Sequence, residues 1–577
     1  MPARRPQLAV AVLIATALGT ASVALGLDGS ANGRAASADA PAPSRSGLAN
    51  GCFALASAAN DRFVAIDDGG YHAVARARRQ AASFFLEPTG LGTYLLQDEA
   101  GTLLAAGAGN AVERGQQPGP SAEWRVRRGV RRSFAITSTG DGSRLVVEAA
   151  SGALVRAGAA GRAGRFALVV AHRCTSFPEA RVNAAGRPFA GTNPDGTAFG
   201  FADAHLHITA NLRAGGRVIH GESFHPFGIG EALGHDERDH GPDGSLDVTG
   251  NLLREGTPTG THDPHGWPTF AGWPVHDTFT HQQAYYVWLE RAWKAGLRVV
   301  VAQAVEDQAL CGLQPLKSHS CDETETVKLA IAQLRALEDY VDAQSGGPGE
   351  GWLRIVTDPR RARRVIERGK LAVVIGMETS SPFGCSEFGG EPRCTREDVD
   401  GVLAELHALG VRSVFVAHWV DNAFAGPALQ SGAQGDFIDI FETTTTGHPF
   451  ATQPCVEADE ADGECNAKGL TDLGRYLIRR LIDRRMLIEA DHLSQQARAA
   501  VLEIAERRRY PLVSSHTNTG GEWTAPQLRR LYRLGGLASA TPEVAPEMVA
   551  KVLRLRRQAG RKRRPAVALG SDTGGFA

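Results

Sequence analysis

From Phe201 onward, short apolar runs alternate with amphipathic stretches. The runs fall at 201–207, 297–305, 371–378, 411–418, 486–492, 511–517, 535–541 and 566–572. Apolar residues recur at helical spacing between most of them, as in 325–343 and 470–485. This is the βα rhythm of a parallel sheet. Eight strands with intervening helices predict a (β/α)₈ TIM-type barrel over 201–577 rather than an open doubly wound sheet. No Gly-rich phosphate fingerprint follows the first strand, which also disfavours a dinucleotide fold. The sequence ends five residues past Asp572 with no eighth helix, so the expectation is either a truncated sequence or another closing element.

The pattern before Phe201 is different. Residues 51–175 carry short strand-like runs, Gly turns and a weak threefold repeat. Phe63–Ile66, Tyr94–Gln97 and Leu145–Glu148 are read as the openings of the three repeats. Each repeat closes on an aromatic strand, at Phe84–Leu86, Trp124–Val126 and Phe166–Leu168. These features predict a small all-β domain of β-trefoil type. It resembles the ricin-B and fascin-like trefoils in outline, without a Gln-x-Trp signature. A carbohydrate or surface ligand is its candidate partner, against a plain spacer or stability role. Ala/Pro/Ser/Gly-rich 39–50 and Gly/Pro/Asn-rich 176–200 read as linkers.

Composition narrows the classes. A net charge of −1 gives no electrostatic reason to expect nucleic acid or an anionic membrane as partner. Arg4 and Arg5, the apolar stretch Leu8–Leu27 and the small residues Ala36-Ser37-Ala38 read as an export signal over 1–38. The rival, an uncleaved anchor, is weakened by Thr16, Gly19, Thr20 and Ser22. A secreted, extracellular protein without stable membrane insertion is expected. The eight cysteines agree with export. The expected pairs are Cys52–Cys174, Cys311–Cys321, Cys385–Cys394 and Cys455–Cys465, because short loops close most easily. No C-x-x-C speaks for a thiolate zinc site.

Chemistry in such a barrel gathers at the C-terminal ends of the strands. Six of the eight predicted strands end in a metal-ligand or acid–base residue. They are His205 and His207 on the first, Glu378 on the third, His418 on the fourth, His492 on the fifth, His516 on the sixth and Asp572 on the eighth. Residues i and i+2 of a strand point to one side, so His205 and His207 can share an ion. Imidazoles and carboxylates suit zinc and related divalent ions. A carboxylate such as Glu378 can bridge two ions that share one hydroxide nucleophile. Asp572 could take a proton from that hydroxide and pass it to a leaving amine. Singly, each residue reads as a hydrogen-bonded structural group; jointly they point to a metal centre.

With these residues placed, the barrel resembles the membrane (renal-type) dipeptidase family of the amidohydrolase superfamily. The matching stretches are FADAHLH at 201–207, DPRRARRVIERGKLAVVIGMETS at 358–380, GLTDLGRYLIRRLIDRRMLIEADHLS at 469–494, PLVSSHTN at 511–518 and ALGSDTGG at 568–575. The resemblance implies two zinc ions, with Glu378 bridging and with His492 and His516 as ligands. It implies that His418 holds or polarises the substrate carbonyl and that Asp572 acts as acid and base; Asn422 is taken with His418 as a substrate contact. Two departures stand out. Dipeptidases carry His-x-Asp on the first strand, where this chain has His205-Leu206-His207. They also place an Arg shortly after the sixth-strand His to grip the substrate carboxylate, whereas here none occurs before Arg529.

The expectation is therefore a secreted metal-dependent hydrolase in which a metal-bound hydroxide cleaves an amide or peptide bond of a small-molecule or peptide substrate. The alternatives are an amidohydrolase acting on a lactone, cyclic amide, ester or phosphoester, and an inactive secreted binding protein. The insertion at 211–281, outside the resemblance, holds His220, His225, His235, His240, His262, His265, His276 and His281, eight of the 18 histidines. It reads as a structural flap at the active face, ahead of an extra metal site.

Overall fold

The N-terminal part supplies twelve antiparallel strands: β1 (Gly51–Ser57), β2 (Phe63–Asp67), β3 (Gly70–Ala75), β4 (Phe84–Gly90), β5 (Thr93–Gln97), β6 (Leu103–Ala106), β7 (Val112–Gly115), β8 (Glu123–Arg128), β9 (Phe134–Ser138), β10 (Arg144–Val147), β11 (Leu154–Ala157) and β12 (Phe166–Val170). The structure is a computed structural model. It describes residues 47–577 apart from 131, 160, 276, 456–462, 517–522, 542–544, 560–564 and 576–577. The export-signal reading of 1–38 and most of the 39–50 linker lie outside the described residues.

Six strands close a ring in the order β1, β4, β5, β8, β9, β12 and back to β1. The hairpins β2–β3, β6–β7 and β10–β11 complete the three repeats. This is a β-trefoil. The predicted closing strands are β4, β8 and β12, whose leading aromatics Phe84, Trp124 and Phe166 are fully buried. One boundary needs correcting. Phe63–Ile66 and Leu145–Val147 lie on hairpin strands β2 and β10, but Tyr94–Gln97 is the ring strand β5. The counterpart of β2 is β6. Every hairpin of the domain has the same apolar–Gly turn–apolar pattern, so pattern alone allowed a slip of one strand.

The second sheet is the barrel. Its strands are β13 (Phe201–Leu206), β14 (Leu297–Glu306), β15 (Leu371–Thr379), β16 (Val411–Phe415), β17 (Leu487–Glu489), β18 (Val513–Ser514), β19 (Leu537–Ala540) and β20 (Val567–Leu569). All pair in parallel with their sequence neighbours, and β13 pairs with β20 to close the ring. A short strand, Leu353–Ile355, adds to the outer side of β15. Val300, Val373, Ile375 and Val414 are fully buried, as strands covered on both faces require. Helix Glu323–Gln344 shows how the outer layer attaches. Asp322 caps its N-terminus, and Val327, Ala330, Ile331, Leu334, Leu337 and Val341 bury one stripe. At its far end the Gln344 amide donates to Glu87 Oε1 of β4 at 2.7 Å, joining the two domains.

The structure carries the disulfides Cys52–Cys174, Cys311–Cys321, Cys385–Cys394 and Cys455–Cys465. Among the described residues, no helix is long and apolar enough to cross a membrane.

Candidate metal centre

Parallel strands that close a ring deliver their C-terminal ends to one mouth. His205 and Glu378 lie on β13 and β15, and His207 follows β13 directly. His418, His492, His516 and Asp572 come two or three residues after β16, β17, β18 and β20. His492 and Asp572 have φ of 61° and 47°, in the left-handed region. Such conformations cost of order 1–3 kcal/mol at a non-glycine residue and persist where the surroundings impose them. The approach of β18 to the β20 loop is equally constrained. A Cβ on Gly570 would lie 1.8 Å from the Ser515 carbonyl oxygen, so only glycine fits at that position, two residues before Asp572.

Glu378 stands at the middle of the cluster, 2 % exposed. Its Oε2 lies 3.3 Å from both His205 Nε2 and His207 Nε2. Its Oε1 faces the other side, 3.4 Å from His492 Nε2, 3.9 Å from His516 Nε2 and 4.0 Å from His418 Nε2. Asp572 Oδ1 joins the first set, 3.0 Å from His207 Nε2 and 3.4 Å from His205 Nε2. One carboxylate thus divides its two oxygens between two groups of imidazoles.

The tautomers sharpen this picture. His207 Nδ1 lies 3.0 Å from the Gln303 carbonyl oxygen, to which it can only donate. In the neutral ring Nε2 is then a bare lone pair, yet it faces two carboxylate oxygens and His205 Nε2 at 3.0 Å. The His492 and His516 Nε2 atoms approach to 2.9 Å in the second group. Glu378 Oε1 and His418 Nδ1 are buried without a hydrogen bond. Lone pairs and carboxylates converging in a water-poor pocket fit a divalent cation in each group, and this donor set suits zinc.

A supporting layer holds the donors in place. His205 Nδ1 meets Ser515 Oγ at 3.1 Å. Asp203 accepts from the backbone N–H groups of His205 and Ser571, tying β13 to the Asp572 loop. Asp491 accepts from the His516 N–H and from the Trp523 indole. Burial opposes ionisation of Glu378, but His205, His418 and His207 outweigh it and hold its carboxyl well below the usual range. Burial and the neighbouring His205 and His492 push His516 down to about 3, which keeps it neutral and able to ligate.

Asn422, expected as a substrate contact, is held by backbone in the loop after His418. Its amide donates to the Ser380 and Val416 carbonyls and accepts from the Phe424 and Ala425 N–H groups. With both donors and both acceptor sites engaged by backbone, it shapes the loop after β16. A residue that the sequence reading missed is Arg213. It is 2 % exposed, its guanidinium lies 5.0 Å from the Trp419 ring, and Trp419 stacks on His418. Its charge acts on Glu378 and Asp572. Only its place in the insertion after the H-x-H strand could have flagged it.

A scan against protein-family models finds no match for the chain. Among solved structures, a dipeptidase described as a metallo peptidase is 16 % identical, with a TM-score of 0.32, over 48 % of this chain and 73 % of that one. A metallo peptidase from Rhodobacter sphaeroides, bound to a phosphinate mimic of the dipeptide L-Ala-D-Ala, is 16 % identical, with a TM-score of 0.33, over 50 % of this chain and 77 % of that one. A designed threefold-symmetric protein is 16 % identical, with a TM-score of 0.19, over 21 % of this chain and 99 % of that one.

Proposed function

We propose that this chain is a secreted, metal-dependent hydrolase of amide-type bonds whose best substrates are short peptides with a free carboxylate. The observation that carries the reading is Glu378, which offers one oxygen to His205 and His207 and the other to His492, His516 and His418. Two divalent ions bound there would acidify a water and polarise the scissile carbonyl. The chain's own groups supply the rest. Asp572, fixed by its backbone bond to His205, takes a proton at Oδ1 and returns it to the leaving nitrogen. His418, stacked on Trp419, is placed to donate to the carbonyl oxygen. Burial at the barrel mouth strengthens each of these interactions by excluding water.

Arg213 bears on the substrate class. A buried guanidinium against Trp419, which itself stacks on His418, is suited to a carboxylate. The H-x-H pair at the end of β13 favours the second reading, a non-peptide amide, lactone or ester. The test is a panel of dipeptides, their amidated forms, lactones and simple esters, assayed with zinc-loaded protein. Turnover confined to free-carboxylate dipeptides supports the first reading. Equal turnover of amidated dipeptides, or turnover of lactones alone, overturns it.

A further inference from the structure

The 211–281 insertion gathers a second group of ligand-type side chains that the barrel chemistry does not use. Asp236 precedes the short helix Glu237–His240, His240 ends it, His262 comes from the following loop, and His281 lies just before helix Tyr286–Lys294. Asp236 Oδ2 lies 3.2 Å from His240 Nδ1, 2.7 Å from His262 Nε2 and 2.8 Å from His281 Nε2. The four donor atoms all lie within 4.8 Å of one another. The three rings form a near-equilateral triangle, with centroids 5.0–5.4 Å apart and planes almost perpendicular. Asp236, His240 and His281 are at most 1 % exposed, and His262 is partly buried.

Hydrogen bonding alone accounts poorly for this arrangement. One carboxylate oxygen faces three imidazole nitrogens, while Asp236 Oδ1, also buried, has no partner. His240 Nε2 lies 3.0 Å from the Val218 carbonyl oxygen, to which it donates. In the neutral ring its Nδ1 is then a bare lone pair pointed at a carboxylate oxygen, and a cation between them resolves the conflict. A ligating histidine that donates its outer N–H to a backbone carbonyl is the usual support of a metal ligand. His262 has the Asp247 carboxylate 3.6 Å from its outer nitrogen, on the side away from Asp236. His281 is stacked on buried Trp273 at 4.5 Å, which fixes its plane.

We propose that Asp236, His240, His262 and His281 form a structural divalent-cation site of zinc type, distinct from the barrel centre, that clamps the insertion. Three histidines and one carboxylate complete a tetrahedral set and leave no position for substrate, which marks a structural rather than a catalytic ion. The insertion also needs a clamp. Three other barrel loops each carry a disulfide spanning 9 or 10 residues, whereas residues 211–281 contain no cysteine. The ion ties together three segments of the insertion, whose first turn carries Arg213.

The test counts zinc in full-length protein dialysed against zinc and then against metal-free buffer. Wild type should hold one equivalent more than His262→Gln, the variant at the most exposed of the four positions, and one more than Asp236→Asn. Glu378→Ala should retain that equivalent while losing the barrel ions, which separates the two sites: wild type that binds this equivalent but no barrel zinc overturns the proposed function and leaves this site standing. Crystals of the zinc-loaded wild type should show an anomalous peak about 2.0–2.2 Å from all four donors, a result independent of whether the variants fold. Equal zinc in wild type and folded variants, or no anomalous peak between the four side chains, overturns the proposal.

Discussion

Replacing Asp572 by asparagine separates a proton-transfer role from a turn-forming one. The change keeps size and shape. The backbone bonds of Asp572, N–H to the His205 carbonyl and carbonyl to the Gly575 N–H, do not depend on the side chain. Asparagine also tolerates the positive φ of 47° at this position better than most residues. The fold should therefore survive, and the amide oxygen can still face His205 and His207 as a neutral acceptor. What disappears is the negative charge and the proton acceptor at Oδ1. A general acid–base group contributes on the order of 10²–10⁴ in rate, or about 3–5 kcal/mol in the barrier. Steady-state kinetics on zinc-loaded Asp572→Asn should show kcat reduced on that order, with Tm within a few degrees of wild type. A variant that keeps more than about a tenth of wild-type turnover would refute the proton-transfer role. Lower stability with near-normal turnover in the folded fraction would reveal a turn residue instead.

Other parts of the molecule give separate tests. Arg213→Met should raise KM for free-carboxylate dipeptides about tenfold or more and leave KM for amidated ones unchanged; equal effects on both would remove Arg213 from substrate binding. Glu87, buried at the contact between the domains, has its carboxyl pushed up to about 7 by desolvation, with Glu179 nearby adding to the effect. A raised acid stabilises the fold fully below its unfolded value and loses that contribution as pH rises through the folded value. Wild type should thus lose up to roughly 3 kcal/mol between pH 4.5 and 7.5, and Glu87→Gln should flatten this dependence in denaturant titrations; parallel pH profiles would contradict it. Removing Cys52–Cys174, which closes a span of 122 residues, by Cys→Ser at both ends should cost the trefoil about 4–5 kcal/mol. Unchanged trefoil unfolding in that variant would mean that the surrounding strands alone constrain the ends.

Much of this architecture was legible in the sequence for a physical reason. Strands covered on both faces must be apolar throughout, so β13 to β20 appear as runs, and the polar residues that interrupt their ends stand out. His418, His492, His516 and Asp572 were visible because they follow such runs, although they lie in the loops rather than on the strands. The trefoil repeat was visible through Phe84, Trp124 and Phe166, which fill one shared core, while its hairpins were too alike to fix register. The partners of Asn422 could not be read from sequence, because they are four backbone groups brought to it by the loop. Arg213 and the Asp236–His281 group lie in a stretch without helical or strand periodicity. Their neighbours are set by tertiary packing, and the histidine density was the one signal available.

The central claim is that a single carboxylate, Glu378, holds two ions. The direct measurement is the metal content and turnover of Glu378→Ala beside wild type, both loaded with zinc and shown to be folded. The variant should lose close to two equivalents of zinc together with its turnover. A variant that retains the full wild-type complement of zinc would contradict it.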